Sequence, residues 1–332
     1  MINFRGCAGV PVTSPLFYSA AHTNDTRQAL RYIAQLYPDA LILGVGFSLG
    51  ANVLIRYLGE EREQSRIHAA CALGCVRFLI SSPILATMLI VSSISSHGIY
   101  KRTARGVYFI ACTCIVLNVF FARLQSSFLG SHIYSKAMGK NLLRLLKRHA
   151  PFFEKTPDHY VAIACQEALK LDNPSLFQFD DTFTRVAGGP QPDFPFRNGE
   201  EYYIFGSSDK LLSQVTVPLL TINAKDDPIV RNVPTENNEN GNVVMVLTRH
   251  GGHLGWFQSG SANRWTTEPV LEWLKVMAEE VLHEPKQRGP LIYVDDEGFL
   301  RDKGREQLGC KQIEGGGLID GNGGVEGILQ GL

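Results

Sequence analysis

One segment near the start of the chain combines an apolar run, a glycine-rich turn and an amphipathic helix. The apolar run is at 40–45, the turn is at 46–50 (Gly-Phe-Ser-Leu-Gly), and apolar residues at helical spacing continue to Leu58. A continuous apolar run is typical of a parallel strand that is buried on both faces. A strand that enters a helix through such a turn begins a crossover unit, so the segment predicts an α/β fold with a mostly parallel sheet flanked by helices.

Ser48 lies at the centre of this turn in the pattern Gly-x-Ser-x-Gly, which is typical of a nucleophile elbow. Both flanking glycines are expected to be needed for a turn tight enough to expose the serine hydroxyl above the sheet. Leu49 then begins the helix, and we expect its backbone N–H to face a developing oxyanion. Because the pattern also arises by chance, an ordinary turn serine is the alternative interpretation.

A serine nucleophile needs a base, and the base needs an acid that orients it. An apolar run at 217–224 is followed directly by Asp226 and Asp227. A carboxylate just past the end of a parallel strand faces the crevice where such folds bind ligands. We predict that Asp227 is the acid and that Asp226 is a solvated turn carboxylate. The alternative is that both aspartates only shape the loop.

The base is expected in the loop after the next strand. An apolar run at 243–248 precedes Arg-His-Gly-Gly-His-Leu-Gly-Trp at 249–256. We predict that His253, bracketed by small residues, is the base and that His250 supports the loop. The chain order Ser48, Asp227, His253 is the order of the triad in α/β-hydrolases.

These segments belong to a wider set of motifs in a fixed order. The segments are at 3–9, 45–52, 57–60, 135–139, 179–181, 202–203, 223–228 and 250–253. With them the chain resembles the YheT-like (EMB-like) α/β-hydrolase family, and most of all its fungal medium-chain fatty acid ethyl ester synthase/esterases. The resemblance covers 1–76 and about 124–285. It implies an α/β-hydrolase fold and the triad Ser48, Asp227 and His253.

The resemblance also implies an incomplete N-terminus. Relatives carry a long segment before the turn at 3–9, and it supplies the first strands and a loop with a second oxyanion donor. We therefore expect a hydrolase domain at 1–285 that lacks its first strands and that donor. Loss of one such donor typically costs about 10²–10³ in rate.

Residues 76–123 have no counterpart in the family and form an apolar insertion of unusual composition. Between 64 and 153 there is no Asp or Glu, while eleven Lys or Arg are present. Two apolar blocks at 78–94 and 106–122 each have about 17 residues, the lower limit for spanning a bilayer. Three interpretations stay open: a retained intron in a gene that has also lost its first exon, a membrane hairpin with a basic connecting loop, or a buried helical insertion.

After the insertion, the sequence pattern predicts a helical cap, a terminal helix and a tail. Residues 135–210 are mostly helical and aromatic in pattern, and a helix is predicted at 268–283. The C-terminal extension is 286–332, of which 303–332 is predicted to be disordered because it contains ten glycines. Five aromatic residues of the cap are expected to line an acyl-chain pocket or, alternatively, to belong to the hydrophobic core: Phe152, Phe153, Phe177, Phe179 and Phe183.

Composition limits the function further. The 32 basic and 32 acidic residues exclude a nucleic-acid binder that works by bulk charge. The seven cysteines have neither a disulfide nor a zinc spacing, and the first residues lack the apolar core of a signal peptide. We therefore predict an intracellular protein that is not secreted. It is expected to be cytoplasmic or associated with a membrane or lipid surface. No metal-binding or nucleotide-binding motif is present, so neither a metal nor a cofactor is expected.

We therefore expect a serine esterase or acyltransferase that acts on short- or medium-chain acyl esters or lipid esters, with water or an alcohol as the acyl acceptor. The expected partners are an acyl ester or lipid substrate, and an alcohol or acyl-CoA. The alternative function is a membrane-associated hydrolase fragment without a competent oxyanion hole.

Overall fold

The fold is built on a parallel sheet of four strands in the order β1-β2-β3-β4. The structure is a computed structural model, and it describes residues 2–75, 128–230, 233–235, 239–258, 263–282 and 288–313. The strands are β1 (Leu43–Phe47), β2 (Ala69–Leu73), β3 (Leu219–Ala224) and β4 (Val243–Thr248). All three strand pairs are parallel and in register, as the sequence predicted for this fold class.

Strand β1 differs from its prediction in position and in burial. It begins three residues later than the apolar run at 40–45, and Val45 and Phe47 are 41% and 52% exposed. The prediction of a strand buried on both faces was wrong because, among the described residues, β1 pairs with β2 alone and packs one face against a helix. On that packed face Gly44 allows the side chains of Leu54 and Ile67 to approach the strand.

Helices α1 (Asn24–Leu36) and α2 (Leu49–Glu61) flank the first half of the sheet. Helix α2 is buried along nearly its whole length, and its apolar residues share one core with those of β2 and β3. The other face of β2 and β3 packs against α8 (Thr267–Val276), which continues as a short π-helical segment, Met277–Val281. The helix predicted at 268–283 is thus present from Thr267 to Val281, and residue 283 lies outside the described residues.

The helical cap predicted at 135–210 is present, and its helices lie within 128–206. Its helices are α3 (Phe128–Phe153), α4 (Tyr160–Leu169), α5 (Leu176–Phe179), α6 (Arg185–Ala187) and α7 (Gly199–Gly206), with a π-helical segment, Asp180–Thr184, between α5 and α6. Phe153, Phe179 and Phe183 are buried and pack edge to face. These three rings therefore belong to the cap's own core, whereas Phe177 is partly exposed.

The C-terminal extension forms a three-stranded antiparallel sheet on α1. Its strands are β5 (Ile292–Val294), β6 (Leu300–Asp302) and β7 (Arg305–Cys310). The prediction of disorder from 303 onward was wrong for 303–313, because β7 pairs with β6 and contacts α1. Asp302 is buried between Arg31 and Arg66 and fastens this sheet to the main body. Residues 314–332 lie outside the described residues.

The apolar insertion at 76–123 also lies outside the described residues, as do both of its candidate membrane segments. Within the ranges that the structure does describe, every helix is too short or too polar to span a bilayer.

Candidate active site

Ser48 occupies a strained turn between β1 and α2. Its backbone has φ 50° and ψ −118°, in a region that residues with a side chain rarely adopt. The Ser48 N–H donates to the carbonyl of Leu73 at the end of β2, over 2.9 Å. This bond and the start of α2 hold the serine at the carboxyl edge of the sheet, where the elbow motif predicted it.

The two glycines of the elbow are not equivalent. A β-carbon on Gly46 would lie 2.6 Å from the carbonyl oxygen of Gly50 and 2.8 Å from the backbone of Ala51. A β-carbon on Gly50 would meet nothing within 4 Å. The expectation that both flanking residues must be glycine is therefore wrong for Gly50, because its side-chain direction is open.

The structure brings the three predicted residues together in one hydrogen-bonded chain. The Oγ of Ser48 lies 2.6 Å from Nε2 of His253, and Nδ1 of His253 lies 2.8 Å from Oδ2 of Asp227. All three side chains are buried, although 205 residues separate the serine from the histidine. Because a carboxylate only accepts, the proton of a neutral His253 is on Nδ1, which leaves Nε2 free to accept the serine proton.

Asp227 is fixed by the backbone as well as by the imidazole. Its Oδ1 accepts from the N–H groups of Ile229 and Val230, at 2.8 and 3.0 Å. Oδ2 is thereby directed at His253. Both oxygens of this buried carboxyl group therefore have hydrogen-bond partners.

Leu49, the predicted oxyanion donor, is the first residue of α2. The first N–H groups of a helix have no carbonyl partner within the helix, and the helix dipole favours negative charge there. Asn52, one turn further, is completely buried, and its Nδ2 donates to the carbonyls of Ala20 and Gly206 at 2.9 Å. Asn52 thus ties the first turn of α2 to the C-terminal end of cap helix α7.

Asp226 does not behave as the solvated turn carboxylate that the sequence predicted. Its side chain is only 13% exposed, its Oδ1 accepts from the N–H of Gly252 at 2.8 Å, and its Oδ2 lies 3.3 Å from Nδ1 of His250. The prediction was wrong because the loop after β4 folds back over the end of β3. His250 contacts the Asp226 carboxylate, as expected for a residue that supports the loop.

Tyr134 is a residue near the site that motif reasoning missed. Its ring lies edge-on to the imidazole of His253, with 6.3 Å between centroids and an angle of 72°. Burial, together with the nearby charge of Asp227, raises the pKa of Tyr134 to about 12. Its position directly before the motif at 135–139 was the one sequence signal that pointed to it.

Metal chemistry has no obvious site in the part of the chain that the structure describes. Across 2–75, 128–230 and the later described ranges, no cluster of three or more His, Cys, Asp or Glu side chains could hold an ion.

Comparison with known proteins gives the sequence relationship. No protein-family model matches the chain. It is 32% identical over 283 residues to a monoacylglycerol lipase of Saccharomyces cerevisiae, covering 85% of this chain and 53% of the lipase. It is 31% identical over 294 residues to the embryogenesis-associated protein EMB8 of Picea glauca, covering 87% and 54%. The chain has an α/β-hydrolase fold.

A third relative is of the kind that the sequence motifs indicated, an ethyl ester synthase/esterase. The chain is 26% identical over 286 residues to the medium-chain fatty acid ethyl ester synthase/esterase 2 of Saccharomyces cerevisiae, covering 85% of this chain and 56% of that protein. The predicted resemblance of this α/β-hydrolase to the EMB-like group is thereby confirmed. The chain spans about half the length of these curated relatives.

Proposed function

We propose that this α/β-hydrolase is a serine esterase that cleaves short- or medium-chain acyl esters, lipid esters among them, through a covalent acyl-enzyme. The observation that carries the proposal is the hydrogen-bonded chain from Asp227 through His253 to the Oγ of Ser48, with links of 2.8 and 2.6 Å. This arrangement of acid, base and hydroxyl is the one that activates serine as a nucleophile.

In the first half-reaction, Nε2 of His253 accepts the Ser48 proton while Oγ attacks the ester carbonyl carbon. The carbonyl π electrons move to oxygen, and the backbone N–H of Leu49 donates to that oxyanion. When the carbonyl re-forms, the bond between the carbonyl carbon and the leaving-group oxygen breaks. His253 gives its proton to this leaving-group oxygen, and an alcohol departs. Asp227 holds the imidazole and stabilises its charged form throughout.

In the second half-reaction, His253 takes a proton from water, and the hydroxide oxygen attacks the acyl-serine carbonyl. Collapse breaks the bond to Oγ, Ser48 regains its proton from His253, and a carboxylic acid leaves. An alcohol in place of water gives an ester by the same steps, which is the acyltransferase variant of the proposal. The names of two relatives, a monoacylglycerol lipase and an ethyl ester synthase/esterase, support lipid esters as the substrate class.

A fluorophosphonate probe tests the nucleophile. We expect the folded protein to be labelled, and Ser48→Ala to abolish labelling and to lower ester hydrolysis by about 10⁴-fold or more. Ser207→Ala is the matched control, since Ser207 is equally buried and its Oγ makes no hydrogen bond within the described residues. No labelling of folded protein favours the incompetent fragment. Labelling that survives Ser48→Ala places the nucleophile elsewhere.

A product assay then separates hydrolysis from transfer. The wild-type protein is incubated with p-nitrophenyl octanoate in buffer with and without ethanol, and the products are resolved by gas chromatography. Octanoic acid alone indicates an esterase, and ethyl octanoate that rises with ethanol indicates acyl transfer. A monoacylglycerol of the same chain length tests the lipid-ester class directly.

A further inference from the structure

Two neighbouring carboxylates bind two neighbouring residues of the histidine loop. Asp227 contacts the imidazole of His253, and Asp226 accepts from the backbone N–H of Gly252, at 2.8 Å in each case. The last backbone bond between β3 and β4 runs from the Lys225 N–H to the Thr248 carbonyl. The two aspartates therefore continue the connection between these strands beyond the point where the ladder ends.

The loop that carries His253 is held by other contacts, both within the loop and to the last residue of β4. The carbonyl of Gly251 accepts from the N–H groups of Gly255 and Trp256, and the indole Nε1 of Trp256 donates to Oγ1 of Thr248. These bonds shape the loop around 251–256. They do not by themselves fix its distance from Asp227, whereas the Asp226 carboxylate attaches the residue directly before His253 to the end of β3.

The backbone at this point has little freedom to adjust. Gly252 has φ +59°. The carbonyl oxygen of His253 lies so close to Gly74 that a β-carbon on Gly74 would be 2.6 Å from this oxygen. A small shift of the Gly252 N–H therefore moves the imidazole relative to both Ser48 and Asp227. Misplacement of a catalytic group by about 1 Å can cost about 100-fold in rate.

We propose that Asp226 is a positioning residue for the esterase reaction, which acts by accepting the Gly252 N–H and so sets the position of the His253 imidazole. This inference rests on the proposed function. Asp226 itself acts through the loop, since its carboxylate oxygens contact Gly252 and His250.

The test compares two substitutions that separate the hydrogen bond from the charge. Asp226→Asn keeps an acceptor oxygen at the same distance from the backbone but loses the charge. Asp226→Glu keeps the charge but displaces the acceptor by one methylene group. The readout is the rate constant for labelling by a fluorophosphonate probe, together with the low-field proton resonance of the His253 Nδ1–H. Asp296→Glu is the matched control, because Asp296 is an exposed carboxylate in the turn between β5 and β6.

We expect Asp226→Asn to label within about threefold of wild type and Asp226→Glu to label about tenfold to a hundredfold more slowly, with its imidazole resonance shifted or broadened. Asp296→Glu should equal wild type. Equal rates in Asp226→Glu and wild type, or an Asp226→Asn rate as low as that of Asp226→Glu, overturn the inference. If wild type itself is not labelled at Ser48, the proposed function fails instead, so the two failures are distinguishable.

Discussion

The backbone of Gly46 lies directly against that of Ala51, so closely that a β-carbon on Gly46 would be 2.8 Å from the Ala51 Cα. Gly46 is in β1 and Ala51 is in the first turn of α2, so this contact joins the strand and the helix on either side of Ser48. Ser48, which lies between these two elements, has a positive φ of 50°. The geometry of the nucleophile thus depends on the absence of one methyl group.

Gly46→Ala should therefore destabilise the fold, whereas Gly50→Ala should not. We expect a loss of about 1–3 kcal/mol in the free energy of unfolding for Gly46→Ala, since the new methyl group forces the backbone apart. Gly50→Ala meets open space within α2, and alanine favours a helix over glycine by up to about 1 kcal/mol. Urea unfolding of both variants checks this. A loss for Gly50→Ala as large as that for Gly46→Ala would contradict it.

The sequence predicted those parts of the fold that depend on local patterns. Apolar runs bounded by turn residues predicted β3 and β4, because a buried parallel strand is apolar on both faces. The same reasoning misjudged Val45 and Phe47, since exposure depends on which strand lies alongside β1. Strand β6 was missed because it has three residues and is held by Arg31, 271 residues away.

In the candidate active site, too, local patterns predicted some residues, whereas contacts between distant segments were not predictable. Chain order and loop context predicted Ser48, Asp227 and His253, which the structure brings within hydrogen-bond distance. The bond from Gly252 to Asp226 was not predictable, because it depends on how the loop after β4 folds back over β3. Tyr134 comes from the cap, and although it directly precedes the motif at 135–139, its segment does not indicate that its ring contacts the imidazole of His253.

Tyr134 should contribute to activity through its ring rather than through its hydroxyl. Its pKa is raised to about 12 by burial and by the charge of Asp227, so the phenol stays neutral throughout an ordinary assay range. We expect Tyr134→Phe to act like wild type and Tyr134→Ala to be about twofold to tenfold slower, the size of one lost edge-to-face contact. Steady-state ester hydrolysis measures both. A large loss in Tyr134→Phe would instead assign the role to the hydroxyl.

Asp302 should account for much of the attachment of the C-terminal sheet. Its oxygens lie 2.9 Å from a guanidinium nitrogen of Arg31 and 2.8 Å from one of Arg66, and all three side chains are buried. Burial raises the pKa of Asp302, but the hydrogen bond from Arg31 and the charge of Arg66 outweigh burial, so the net pKa is lowered. Asp302→Asn removes the carboxylate charge that pairs with both buried arginines, and we expect a loss of about 3–5 kcal/mol in the free energy of unfolding at neutral pH.

The pH dependence of that loss has a definite sign. Because the folded pKa of Asp302 is lowered, its contribution is present above the unfolded-state pKa and is lost as the pH falls through the folded one. The difference between wild type and Asp302→Asn should thus shrink in acid. Chemical unfolding from neutral to acidic pH measures it, with Glu279→Gln as control because Glu279 is in an exposed ion pair. A pH-independent difference would exclude this linkage.

Ser48 should become acylated during turnover, and trapping the acyl-enzyme measures this. The protein is mixed with p-nitrophenyl octanoate, quenched in acid within the first turnovers, digested and analysed by tandem mass spectrometry. We expect an octanoyl group on the serine of the peptide that contains Ser48, and no octanoyl group on this peptide in Ser48→Ala. Hydrolysis that proceeds in Ser48→Ala, or an acyl group found on a different residue, would contradict it.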